Sequence, residues 1–136
     1  MDDKKKHTEE EVNLNEYILN LSRNPKNIGE LSEDERSILY SYKGSCGDTM
    51  TFFLKVNHKC IEKARFVTDG CAAATAAASQ TMQLIEGKSI KFAKRLKAKD
   101  IDKFLGGLPS DHKHCAKLAI KTLHKTLNKY KKKIRN

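Results

Sequence analysis

Residues 61–79 read Ile61-Glu62-Lys63-Ala64-Arg65-Phe66-Val67-Thr68-Asp69-Gly70-Cys71-Ala72-Ala73-Ala74-Thr75-Ala76-Ala77-Ala78-Ser79. The first half alternates, with Ala64 and Phe66 on one face, which is the period of a strand. After Gly70 the pattern changes to a run of methyl side chains. Alanine is the strongest helix former, so the run predicts a helix, extended by Met82, Leu84 and Ile85 and stopped near Gly87. Cys71 falls at or just before the first turn. Free amide N–H groups and the helix dipole there favour a thiolate. Read alone, however, the favoured role of Cys71 is a buried packing cysteine.

Working outward, Met50, Phe52, Leu54 and Val56 alternate with Thr51, Phe53 and Lys55, a second strand. Asn57-His58-Lys59 is the turn between the two. Ser37 to Lys43 reads as a shorter strand, separated from the second by Gly44-Ser45-Cys46-Gly47-Asp48. Two glycines around a cysteine and an aspartate make a tight loop able to aim both side chains at one point. Upstream, Thr8-Glu9-Glu10-Glu11 has the form of a capping box ahead of Leu14, Tyr17, Ile18 and Leu21 at helical spacing. That helix should end before Asn24-Pro25. Downstream, Ser89 to Leu96 and Asp100 to Leu105 read as short helices. Gly106-Gly107-Leu108-Pro109 breaks the chain. A long last helix then starts near Ser110 or Asp111, with Ala116, Ala119, Ile120, Leu123, Leu127, Tyr130 and Ile134 as its buried stripe. Strands first and helices after predict an α+β fold: a small three-stranded antiparallel sheet, helices packed on one face, and a long C-terminal helix.

The chain of 136 residues fits one domain, 1–136, with 1–7 as a frayed terminus and 131–136 as a basic tail. Its net charge is +10. Lys88, Lys91, Lys94, Arg95, Lys97 and Lys99 form one basic cluster; Lys125, Lys129, Lys131, Lys132, Lys133 and Arg135 form another. A nucleic-acid or acidic-protein surface would look like this. With no tryptophan and few aromatics to stack on bases, a solvated face is favoured, and nucleic acid is not the expected partner. No apolar run approaches a membrane span. The acidic, lysine-bearing N-terminus is neither a signal nor a transit peptide, so the expected address is cytoplasmic. Four cysteines in that compartment point to metal or chemistry rather than disulfides.

Three of the four cysteines sit at breaks between elements. Cys46 has Asp48 two residues on, Cys71 precedes the alanine helix, and Cys115 follows His114. Three thiolates plus a carboxylate or imidazole is a ligand set for zinc or an iron–sulfur cluster. None belongs to a C-x-x-C pair, so three unrelated packed thiols remain open. Cys60 has no neighbouring glycine, acid or histidine and reads as a surface or packing residue. His112 shares a segment with His114 and Cys115 and is a weak candidate beside the ligands. His114 could equally face solvent.

Taken in order, Asn24-Pro25-Lys26-Asn27-Ile28-Gly29, Gly44-Ser45-Cys46-Gly47-Asp48, Ala64-Arg65-Phe66 into Gly70-Cys71, Ala78-Ser79, and Leu108-Pro109 leading to His114-Cys115 resemble the iron–sulfur cluster scaffolds of the IscU and NifU N-terminal domain type. The likeness spans about Leu14 to Tyr130. It implies transient assembly of a [2Fe–2S] cluster from iron and the persulfide sulfur of a cysteine desulfurase, and transfer to recipient apo-proteins. The chain is then a carrier, not a turnover enzyme. Cluster ligands fall on Cys46, Asp48, Cys71 and Cys115, and a metal set adds His114. The persulfide acceptor candidates are Cys115, which the likeness favours, and Cys71. Iron comes from a donor, zinc can occupy the same residues, and a homodimer is compatible with the pattern. Many relatives carry Leu-Pro-Pro-Val-Lys, a docking motif for a dedicated Hsp70 chaperone. Here Leu108-Pro109-Ser110-Asp111-His112 lacks most of it, so that partner is not carried over. A zinc-binding sulfur acceptor that activates a desulfurase is the alternative reading, and a basic nucleic-acid module a more distant one.

Overall fold

The computed structural model describes residues 13–135. Three strands, β1 (Ile38–Lys43), β2 (Thr49–Asn57) and β3 (Cys60–Thr68), form an antiparallel sheet in the order β1-β2-β3. Tyr40 lies opposite Phe52, and Phe52 opposite Phe66. Met50, Phe52, Leu54, Ala64 and Phe66 are fully buried on the face that receives the helices. The β2–β3 turn places His58 and Lys59 at φ 53° and 65°. Two left-handed residues in succession match the right-handed twist of the strands they join.

The helices are α1 (Glu16–Arg23), α2 (Ala72–Ile85), α3 (Ile90–Arg95), α4 (Ala98–Phe104) and α5 (Lys113–Arg135). The expected α+β architecture is therefore observed. The alanine helix α2 lies at its centre, packed against α1, α4, α5 and β3. Ala73, Ala74, Ala76, Ala77 and Ala78 are fully buried around much of its circumference. Methyl side chains allow this, because neighbouring backbones can approach closely without a gap. Gly87, at φ 86°, follows the last turn as expected.

The opposite sheet face is partly covered by irregular chain rather than helix. Segment 30–36 carries Glu35, which pairs with Lys63, a β3 side chain alternating with core-facing Ala64. Phe53 and Leu31 are buried outside the main core. The Asn24–Gly29 stretch is pinned on both sides. Ser79 Oγ accepts from the Lys26 amide at 3.0 Å and donates to the Lys26 carbonyl at 2.7 Å. Asn27 Nδ2 donates to the Ala64 carbonyl and to Glu86, both at 3.0 Å.

Two element starts differ from expectation. The Thr8–Glu11 capping box lies outside the described residues, as does the 1–7 terminus, and α1 is capped instead by Asn15. Its Oδ1 accepts from the Ile18 amide at 2.8 Å while its Nδ2 donates to the Leu105 carbonyl at 2.9 Å. Buried Leu14 thus precedes the helix in the position of a hydrophobic staple. At the other end, Ser110 and Asp111 do not cap the long helix. Ser110–His112 is a 3₁₀ turn led by Pro109, and α5 begins at Lys113. Proline fixes the entry angle, and the tighter turn brings residues three apart onto one line. Helix α5 runs through the basic residues 131–135.

Candidate metal centre

Three junctions gather at one end of the fold. The first is the β1–β2 loop, closed by Gly44 N–H to Asp48 C=O at 2.9 Å and Gly47 N–H to Gly44 C=O at 3.0 Å. Gly47 sits at φ 97°, a left-handed position that suits glycine. The second is Asp69–Cys71, between β3 and α2. Asp69 Oδ1 accepts from the Thr49 amide at 2.8 Å, and Thr68 Oγ1 accepts from the Gly70 amide at 3.1 Å. The Thr49–Asp69 bond, with Thr68 Oγ1 donating to the Thr49 carbonyl at 2.6 Å, fastens the second junction to the first. The third is the 3₁₀ turn entering α5.

Six side chains from these junctions form two triads. Ligand atoms of Cys71, His112 and Cys115 lie within 4.8 Å of one another, as do those of Cys46, Asp48 and His114. The triads meet where Cys115 Sγ lies 3.7 Å from His114 Nε2. The rings of His112 and His114 stack with centroids 6.4 Å apart. Exposure is graded: Cys46 is exposed, Cys71 half-buried and Cys115 fully buried.

The electrostatics separate the two inner thiols. A hydrogen bond from Cys115, then the Ala74 and Ala73 amides and the charge of His112, outweigh burial and bring Cys71 down to about 6. The same bond, burial, and the charges of Cys71, Asp48 and Cys46 push Cys115 up. Without metal, the pair holds one thiolate, on Cys71, and one proton, on Cys115. Cys71 is the N-cap of α2, at φ −73° and ψ −178°. The helix terminus therefore adds to what its partner supplies.

Every residue assigned to the ligand set from sequence stands in one of the triads. Cys46 groups with Asp48 and His114 rather than with the other two thiols. His112 is more central to the site than its sequence context implies. It is 8% exposed and belongs with Cys71 and Cys115. Its sequence signal is the spacing to Cys115, three residues on, which a 3₁₀ turn running into a helix brings onto one side. Cys60 is exposed at the far end of β3, beside Ser89.

Residues 13–136 match the NifU-like N terminal domain family. The chain belongs to this family. Among relatives of this NifU-like domain, the iron–sulfur cluster assembly scaffold protein IscU of Aquifex aeolicus is 41% identical over 118 residues. That match covers 85% of this chain and 74% of the relative. The protein of the same description from Escherichia coli is 34% identical, covering 87% and 94%. The NifU-like N-terminal protein from Brucella abortus superposes with a TM-score of 0.66 at 18% identity, over 88% and 94% of the two chains. A Fervidobacterium islandicum structure, described as a putative cluster assembly scaffold for the SUF system, gives 0.63 at 24% identity over 83% and 95%. At such identities the structures speak for the fold. No described helix is long and apolar enough to cross a membrane.

Proposed function

We propose that this chain is a scaffold on which an iron–sulfur cluster is assembled and from which it is released. The observation that carries the reading is the contact between the two triads at Cys115 and His114, which supports reading three thiols, two imidazoles and a carboxylate as one mixed-ligand site. A storage or electron-transfer centre favours thiolates throughout. Hard oxygen and borderline nitrogen donors beside soft sulfur hold a cluster less tightly, which suits a cargo that must leave. The relatives described as cluster assembly scaffolds support the same reading.

The cargo is a [2Fe–2S] cluster, with Cys46, Cys71 and Cys115 as thiolate ligands and Asp48, His112 or His114 completing the set. Sulfur arrives as the persulfide of a cysteine desulfurase. The Cys71 thiolate attacks its outer sulfur, a new S–S bond forms, the donor's S–S bond breaks, and the donor cysteine leaves as thiolate. Two electrons from an external reductant then convert that sulfur to sulfide. Cys71 suits the first step because it is ionised and half-buried, whereas Cys115 is protonated and enclosed. Zinc fits the same donors. The chain consumes no substrate catalytically and acts as a carrier.

Anaerobic incubation with iron and a desulfurase, followed by addition of an apo-ferredoxin, tests this reading. The expected result is a cluster absorbance that appears and then passes to the ferredoxin. Zinc binding with sulfur acceptance but no cluster would move the assignment to a desulfurase activator.

A further inference from the structure

Along α5, Lys117, Lys121, Lys125 and Lys129 recur every four residues and form one row. The row runs in the seam against β1. The Lys121 and Lys125 ammonium groups lie 5.9 and 5.3 Å from the Tyr42 ring centroid, and Lys129 lies 5.7 Å from that of Tyr40. Lys129 also donates to the Leu39 carbonyl at 3.2 Å. Ion pairs among the described residues engage Lys55, Lys63, Arg65 and Lys113 instead. At its N-terminal end the row opens into a cleft of about 260 Å³ whose walls include Tyr42, Gly44, Cys46, His114 and Lys117.

Cations stacked on tyrosine faces are held in place, so less side-chain entropy is lost when a partner anion arrives. Residues four apart on a helix are spaced about 6 Å along its axis, so the row is about 18 Å long. Alternate residues of an extended chain are about 6.7 Å apart. An extended segment with carboxylates at alternate positions therefore matches the row in charge and in step.

We propose that this row is a docking track for an extended acidic segment of the sulfur-donating protein, and that it leads the donor's reactive end to the cleft beside Cys46, whose His114 wall borders the Cys115–Cys71 pair. The inference rests on the scaffold reading for the identity of that partner. The cleft end of the row adjoins, through His114, the thiol pair that takes up sulfur, which fits a sulfur donor. The tyrosine faces are covered by ammonium groups rather than open to bases, which disfavours a nucleic-acid strand.

The test uses the metal-free chain and a short extended peptide with glutamates at alternate positions, spin-labelled at either end in turn. Binding is followed by amide NMR. Binding is expected to weaken about tenfold in the double variant Lys121→Glu, Lys125→Glu, whose folding is checked by its melting curve. One labelled end should broaden the Cys46 and Gly47 amide signals. Absence of binding, equal affinity for a peptide of the same composition with its glutamates clustered, or unchanged affinity in the variant would overturn the track. So would broadening away from Cys46. Tighter binding of a single-stranded oligonucleotide, lost in the same variant, would make the row a nucleic-acid surface. Because no metal or sulfur is present, failure here leaves the scaffold reading to the reconstitution experiment.

Discussion

The carboxylate of Asp48 rests against the bare Cα of Gly70. A Cβ built there would lie 3.1 Å from Asp48 Oδ2 and 2.6 Å from the Ala74 Cβ. One glycine thus lets the β1–β2 loop and the first turn of α2 approach each other. Gly70→Ala should leave the backbone angles of residue 70 unstrained, yet displace either Asp48 or the start of α2. Cluster yield on reconstitution is expected to fall severalfold, with a smaller change in melting temperature. Gly47→Ala is the converse case. Nothing lies within 4 Å of its Cβ, but φ is 97°. It should cost stability, about 1 kcal/mol by denaturant unfolding, through backbone strain alone.

Replacing Asp48 with alanine should lengthen the life of the assembled cluster and slow its transfer to apo-ferredoxin, because the hard donor that eases release is gone. Loss of cluster absorbance faster than in the parent protein would assign Asp48 a retaining role instead.

The Cys71 thiol should react at low pH. In the metal-free chain its alkylation by iodoacetamide should rise through about pH 6, where its thiolate forms. Cys115 provides the largest part of that shift, so Cys115→Ala should move the profile upward toward ordinary thiol behaviour. Mass spectrometry of the labelled peptides distinguishes Cys71 from exposed Cys46 and Cys60. An unchanged profile in Cys115→Ala would contradict the paired-thiol account.

Glu86 ties the end of α2 to β3. Burial opposes its ionisation, but the Ala64 amide, Arg65 and Asn27 outweigh it and hold the carboxyl below its ordinary range. A carboxylate with a lowered folded pKa adds stability that is fully present above its unfolded value and is lost as pH falls through the folded one. Glu86→Gln should therefore destabilise the chain at neutral pH by about 1 kcal/mol, since the site is partly exposed. The gap from the parent should close as pH falls through the lowered pKa of Glu86, below the ordinary carboxylate range. A constant gap at all pH values would rule out the ionised carboxylate as its source.

Much of this architecture was legible because it is local. Alternation from Met50 to Val56 and the alanine run after Cys71 are written in period and composition, and both elements appear where they were read. The starts of α1 and α5 were not so plain. Asn15, one of two asparagines flanking Leu14, caps α1, and Pro109 installs a 3₁₀ turn that imitates the start of an α-helix. At the site, the three cysteine contexts were readable as junctions, but their division into two triads depends on where three distant loops meet. His112 was visible only through its spacing to Cys115. The lysine row on α5 looked like a solvated face because its tyrosines come from β1, far away in sequence.

Zinc-edge X-ray absorption tests most directly the claim that the two triads form one metal centre, with zinc as a stable stand-in for the cargo. The account predicts three sulfur ligands at about 2.3 Å and one nitrogen or oxygen, falling to two sulfurs in Cys46→Ser. Two sulfurs or fewer in the parent chain, unchanged by Cys46→Ser, would show that Cys71 and Cys115 act without Cys46 and would contradict it.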